Sequence, residues 1–287
     1  MTVDSRSRPL VLLIDLDNTI IGNSTMQVCR YEIAKQLNVN VPRGCMVNDL
    51  TNGLIRPHFE SFFKMLAVHY PHAECFIYTA AERKWASFVI TCIEQIVSTK
   101  FNRPIFSREH CVTENGIMMK SISKVLPIIQ RKLAPKYPGM KLEDMWAQTL
   151  FIDNNHVCVR QDLHRFLKCP SYEYMVPTNI IASFPQKLIN KGYNDCGLAM
   201  KKYGVLPTYD TNIITNSDSF FALYYGTLSD IYKNCSSGSN QRKLNTDQFW
   251  LTMEQVFTAH RIKHFNVKVI AYINRKTQKS SSKSVIA

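Results

Sequence analysis

No two of the nine cysteines are spaced C-x-x-C, and their number is odd. In a chain of 287 residues that argues against a disulfide framework and predicts a reducing, intracellular setting, cytoplasmic or nuclear. Cys75, Cys92 and Cys158 lie in apolar runs and read as small buried hydrophobes. No apolar run is long enough to cross a bilayer. The run at 10–14 ends on an acid and is too short for a signal-peptide core, so no membrane partner is expected. Asn23-Ser24-Thr25 and Asn234-Cys235-Ser236 are then chance matches to a glycosylation pattern. Acid is also scarce: 22 Asp and Glu stand against 35 Lys and Arg, a formal charge of +13. Such an excess favours contact with a polyanion through the basic surface, without choosing its kind. There is no internal repeat.

What is present is enough apolar material, 45% of residues, for one large or two small domains. Residues 10–14 form an unbroken apolar run that suits a strand buried on both faces of a parallel sheet, and 75–78 and 150–152 repeat the pattern. Helical spacing marks 26–37, 57–68 and 80–97, with Pro57 allowed at a helix start and Trp85 and Phe88 read as helix core. The order predicts an α/β fold, an open Rossmann-like, mainly parallel sheet with helices on both faces. Beyond about residue 187 the composition turns to Tyr, Asn, Ser and Lys, and a C-terminal α/β extension is expected. It comprises a helix over 248–263 and a strand over 265–273, where residues 265, 267, 269, 271 and 273 are apolar. The segmentation is therefore a loose N-terminus at 1–8, a core at 9–186 with 20–54 as a cap-like insertion, an extension at 187–276, and a basic disordered tail at 277–287.

Ligand sites in open α/β sheets lie outside the carboxyl ends of the strands. Asp15, Thr79 and Asp153 all fall at such ends. In Ile14-Asp15-Leu16-Asp17-Asn18-Thr19 two carboxylates leave a buried strand two residues apart, able to turn toward one hard cation such as Mg²⁺. Tyr78-Thr79-Ala80 ends the second strand with a hydroxyl, and Asp153-Asn154 ends the third with an acid and an amide carbonyl. Lys120 precedes a helix, with Lys124 as a competitor. His260 and His264 are one helical turn apart, but no third metal ligand is evident. His69 and His72 flank Pro71 and read as a solvated turn.

The order acid pair, hydroxyl, lysine, acid resembles the haloacid-dehalogenase superfamily. Several segments resemble its NLI-interacting-factor-like branch, the CTD small phosphatases: Arg56-Pro57-His58, Phe76-Ile77-Tyr78-Thr79-Ala80, Arg108-Glu109-His110-Cys111 with Lys120 nine residues on, and Leu150-Phe151-Ile152-Asp153-Asn154-Asn155. The likeness covers roughly residues 9–185. It implies a Mg²⁺-dependent phosphoprotein Ser/Thr phosphatase in which Asp15 is nucleophile and Asp17 general acid and base. Thr79 and Lys120 complete the catalytic set. Thr19, Ala80 and Arg108 serve substrate binding, with an ion pair to an acid as the alternative for Arg108. Asp15, Asp17, Asp153 and Asn154 are the implied metal residues, Asp153 as ligand or as orienter.

The chain departs from the branch in places. Residues 20–54 read as helix and loop rather than a small β insertion, so the pocket that reads RNA polymerase II tail repeats does not carry over. Asn18 stands where the branch often has Glu, and Asn155 where it has Ser. The extension has no counterpart, which leaves an interaction module or a homodimerisation arm open and the oligomeric state undetermined. Two rival readings remain: a phosphatase of nucleic-acid ends or small phosphates, and a non-catalytic scaffold for phosphorylated or nucleic-acid partners.

Overall fold

The five residues of Leu10–Ile14 (β1) are all fully buried, as a strand covered on both faces requires. The structure, a computed structural model, describes residues 8–155, 160–236 and 238–283; Cys158, residues 1–7 and the last four residues of the expected tail lie outside them. In chain order the further strands are β2 (Ala73–Ile77), β3 (Val112–Glu114), β4 (Ile117–Met119), β5 (Thr149–Asp153) and β6 (Phe166–Lys168). The α-helices among the described residues are α1 (Thr25–Gln36), α2 (Arg43–Asp49), α3 (Phe59–His69), α4 (Arg83–Val97), α5 (Ile122–Leu133), α6 (Leu142–Ala147), α7 (Gln186–Lys191), α8 (Tyr193–Lys202), α9 (Ser217–Ser236), α10 (Gly238–Thr246), α11 (Phe249–His260) and α12 (Val267–Lys283).

The chain forms two compact units. The first takes in residues up to 21, 56–172 and those from 246 on. Its sheet has the order β2-β1-β5-β6, all parallel. Leu12 faces Cys75 on one side and Leu150 on the other. The expected α/β fold is thus present. The chain leaves β1 for one neighbour and later returns to the other, so the carboxyl end of β1 lies where the connections diverge. One sheet face is covered by α5 and α6: Val11, Leu13, Phe76 and Phe151 pack with Ile122, Val125, Ile129 and Met145. α3 and α11 meet through aromatic rings, with Trp250 5.1 Å from Phe59 and 5.0 Å from Phe62, and Phe257 5.6 Å from Phe62.

Two expectations in this unit are corrected. Helix α3 begins at Phe59 rather than Pro57, because His58 takes a left-handed conformation (φ 63°) that no helix interior accepts. No strand forms over 265–273; α12 runs from Val267 to Lys283, through the start of the tail expected to be disordered. Ile270, Ile273 and Thr277 are buried, a spacing of three and four, whereas Val267 is 57% exposed. The period-two alternation was coincidental with a helical stripe. The extension is therefore helical among its described residues, not α/β.

The second unit comprises residues 22–55 and 173–245 and is built of helices. Its core joins Met26, Cys29 and Ile33 of α1 to Ile189, Cys196, Ala199 and Met200 of α7 and α8. The segment read as a cap-like insertion thus shares a core with residues that follow 173, because the apolar stripe of α1 needs a cover the insertion lacks. A buried ion pair, Arg30 to Asp49 at 2.7 Å, ties α1 to α2. Gly197 sits where an added Cβ would lie 2.2 Å from Tyr209 Cζ.

Candidate active site

Asp15 directly follows β1, and it lines a cavity of about 190 Å³ at the carboxyl ends of the parallel strands. Asp17, Asn18, Thr79, Ala80, Lys120, Asp153 and Asn154 share that lining. Lys120 bridges two carboxylates: Nζ donates to Asp15 Oδ1 and, at 2.7 Å, to Asp153 Oδ2. Asp153 Oδ1 accepts from the Asn155 amide at 2.7 Å. The Thr19 hydroxyl lies 3.3 Å from Asp15 Oδ2 and 3.2 Å from Asn154 Oδ1, and it accepts from the Asn154 amide at 3.2 Å. Thr79 donates to Asp17 Oδ2 at 3.5 Å and accepts from the Ala81 amide at 3.1 Å. Asp15, Thr79 and Asp153 lie at the carboxyl ends of β1, β2 and β5 and are gathered because the three strands are neighbours in register, whereas Lys120 arrives from the end of β4.

Burial pushes the Asp15 carboxyl up to about 7; Lys120 opposes that rise, and the charges of Asp153 and Asp17 add to it. Burial works against the Lys120 ammonium, but Asp15 and Asp153 outweigh it and hold its pKa above the usual lysine value. Three carboxylates against one ammonium leave an excess of negative charge, carried on hard oxygen donors. Asn18 Oδ1 adds a buried acceptor with no hydrogen-bond donor among the described residues. Among those residues no three His, Cys, Asp or Glu side chains form a cage for a metal. Carboxylate and amide oxygens are donors of the kind a hard cation such as Mg²⁺ takes, and that ion keeps several waters and needs only one or two carboxylates.

Arg108 does not line the cavity. Its Nε donates to the Ala80 carbonyl at 2.9 Å, and Nη1 stands 3.9 Å from Glu82. Lys124 points elsewhere, to the carbonyl of Cys111 at 2.6 Å. His260 bonds the Tyr272 hydroxyl at 2.8 Å rather than forming a metal pair with His264. His69 and His72 line a separate cavity of about 430 Å³ with Arg261 and Lys263; a neighbouring one of about 510 Å³ adds Lys268, and no acid lines either. Trp85 is buried on α4, 6.1 Å from Phe88.

Sequence reasoning missed the residues that carry Lys120. The Tyr78 hydroxyl donates to the His110 carbonyl and accepts from the Ser121 amide, both at 2.9 Å. Asp162 accepts from the Ile122 amide at 2.7 Å, at the start of α5. It missed the β3–β4 hairpin as well, whose Asn115-Gly116 turn has positive φ at both residues (52° and 77°). The Asn-Gly pair was the available signal.

Residues 10–180 match the profile of a family described as NLI interacting factor-like phosphatase. No curated protein matches the chain. Among solved structures, it is similar to the fission yeast RNA polymerase II CTD phosphatase Fcp1 bound to beryllium fluoride. The identity is 16% and the TM-score 0.36, over 81% of this chain and 67% of that one. A second match is a structure of Fcp1 described as an essential RNA polymerase II CTD phosphatase, at 17% identity and TM-score 0.38, over 91% and 69%.

Proposed function

From membership of the NLI interacting factor-like phosphatase family, to which this chain belongs, we propose that it removes phosphate from phosphoserine or phosphothreonine in proteins through an ester on Asp15. The observation that carries this reading is Lys120 spanning Asp15 and Asp153 in the cavity that Asp17 and Thr79 also line. An Asp15 carboxylate oxygen attacks phosphorus in line, and the bond to the serine or threonine oxygen breaks. Asp17 gives a proton to that leaving oxygen. It then takes a proton from water, whose oxygen attacks phosphorus, breaks the aspartyl ester and releases phosphate with Asp15 restored. Lys120 stabilises the negative charge shared by Asp15 and the phosphoryl oxygens. Thr79 and the amide of Ala80 donate to those oxygens, and Thr19 steadies Asp15. Asp15, the Asp17 carbonyl, Asp153 and Asn154 would hold Mg²⁺, which when bound supplies positive charge against the phosphoryl group. Arg108 reaches the substrate phosphate only by leaving the Ala80 carbonyl.

The test is turnover of p-nitrophenyl phosphate with and without Mg²⁺, in the wild type and Asp15→Asn. Activity should require both the cation and the carboxylate. Turnover unchanged in Asp15→Asn rejects the mechanism, and none in the folded wild type favours a scaffold. The acid-free cavities around Arg261 and Lys263 favour a second reading, action on phosphorylated nucleic-acid ends. A panel of phosphopeptides against end-phosphorylated oligonucleotides separates the two.

A further inference from the structure

The loop between β1 and residue 21 carries Asp15, Asp17 and Thr19, and within it the Leu16 carbonyl accepts from the amides of Thr19, Ile20 and Ile21 at 3.4, 2.9 and 3.0 Å. Its three successive carbonyls, at Asn18, Thr19 and Ile20, are held from elsewhere. Asn18 accepts from the Tyr172 amide at 2.9 Å, and Ile20 from the Arg56 amide at 2.8 Å. The Thr19 carbonyl receives two side-chain donors, Trp250 Nε1 at 3.3 Å and Arg56 Nη1 at 3.4 Å. Asp247 holds Arg56 in turn: both its oxygens lie 3.0 Å from Arg56 Nε, and the ion pair closes to 2.8 Å at Nη2. The guanidinium is fully buried, 4.8 Å from the Phe249 ring. Asp247 also accepts from the Phe249 amide at 3.2 Å, so one carboxylate joins the start of α11 to the arginine.

Asp247 and Trp250 lie outside the segment that matches the family, residues 10–180. We infer that Asp247 and Trp250 are positioning residues for the reaction at Asp15, resting on the phosphatase reading above: they clasp the Thr19 carbonyl, one directly and one through Arg56. The physical link is short. A fixed Thr19 backbone places its hydroxyl between Asp15 Oδ2 and Asn154 Oδ1. With the clasp loosened, the carboxylate that must attack in line samples other orientations, and small misplacements of a reacting group cost rate rather than binding.

The experiment uses the full chain with Mg²⁺ and p-nitrophenyl phosphate. Trp250→Phe keeps an aromatic ring against Phe59 and Phe62 and removes the N–H together with part of the buried indole, a packing loss that Phe257→Leu controls for, and Asp247→Asn removes the charge. Each should lower kcat about tenfold with KM nearly unchanged, and should speed hydrogen exchange of the amides at 16–21. Phe257→Leu, in the same helix but away from the loop, should lower stability and leave kcat and those amides as they were. Wild-type kcat and loop exchange in Trp250→Phe would overturn the inference, and so would an equal kcat loss in Phe257→Leu. Asp247→Glu, which restores a carboxylate, should recover part of the rate lost in Asp247→Asn. An inactive wild type would reject the phosphatase reading instead. The clasp would then stand or fall on the exchange of the loop amides alone.

Discussion

Asp15 shares the Lys120 ammonium with Asp153, and burial is the largest influence on its acidity, with Lys120 opposing and the charge of Asp153 adding. Lys120→Met should therefore leave two buried carboxylates facing each other. The expected loss in kcat is about 10²–10³-fold at saturating Mg²⁺, measured by p-nitrophenyl phosphate turnover. Asp162 offers a test by pH. Burial pushes its carboxyl up to about 6, with the Ile122 amide and Ser121 opposing. The unfolded chain releases that proton near the ordinary Asp value, so between about 4 and 6 the native state holds more protons. Its contribution to stability is then greatest in acid and falls as pH rises to about 6, with no further change above. Asp162→Asn should abolish that slope, read as the difference in Tm from wild type between pH 4 and about 7. At this scale much of the cavity lining was legible, because Asp15, Thr79 and Asp153 each close an apolar strand. The partners of Arg56 and Tyr78 were not. Asp247 is 191 residues from Arg56, and no local pattern records so distant a pairing.

Among the elements, the buried strands were easiest to read, since β1 is apolar throughout and β5 carries the apolar run 150–152 at its centre. α12 was the hardest: its alternating residues imitate a strand, and only the sheet and the helices around it decide which of them are covered. The hairpin of β3 and β4 has largely exposed strands of three residues each, so only its Asn115-Gly116 turn carried information. In α8, Gly197 lets Tyr209 lie against the helix backbone. Gly197→Ala should destabilise the protein by about 3 kcal/mol, because the ring is buried and cannot retreat into solvent. Urea denaturation followed by circular dichroism measures it.

At the scale of the whole molecule the +13 charge is the plainest property of the sequence, and part of it gathers at Arg261, Lys263 and Lys268 without a lining acid. Binding of an end-phosphorylated oligonucleotide should weaken about tenfold between roughly 50 and 200 mM salt, and replacing those three residues by Gln should flatten the dependence. Fluorescence anisotropy across a salt series is the measurement. Composition revealed the charge but not the division of the chain. The helical unit is assembled from 22–55 and 173–245, and the sequence gives no sign that segments so far apart complete each other. That division has a consequence during synthesis. α1 leaves the ribosome with Met26, Cys29 and Ile33 bare, and α8 follows roughly 160 residues later, a delay of about 8–30 s at ordinary translation speeds. For that interval a sticky stripe stays uncovered, so the yield of the newborn chain should depend on a holding chaperone more than its finished stability would suggest.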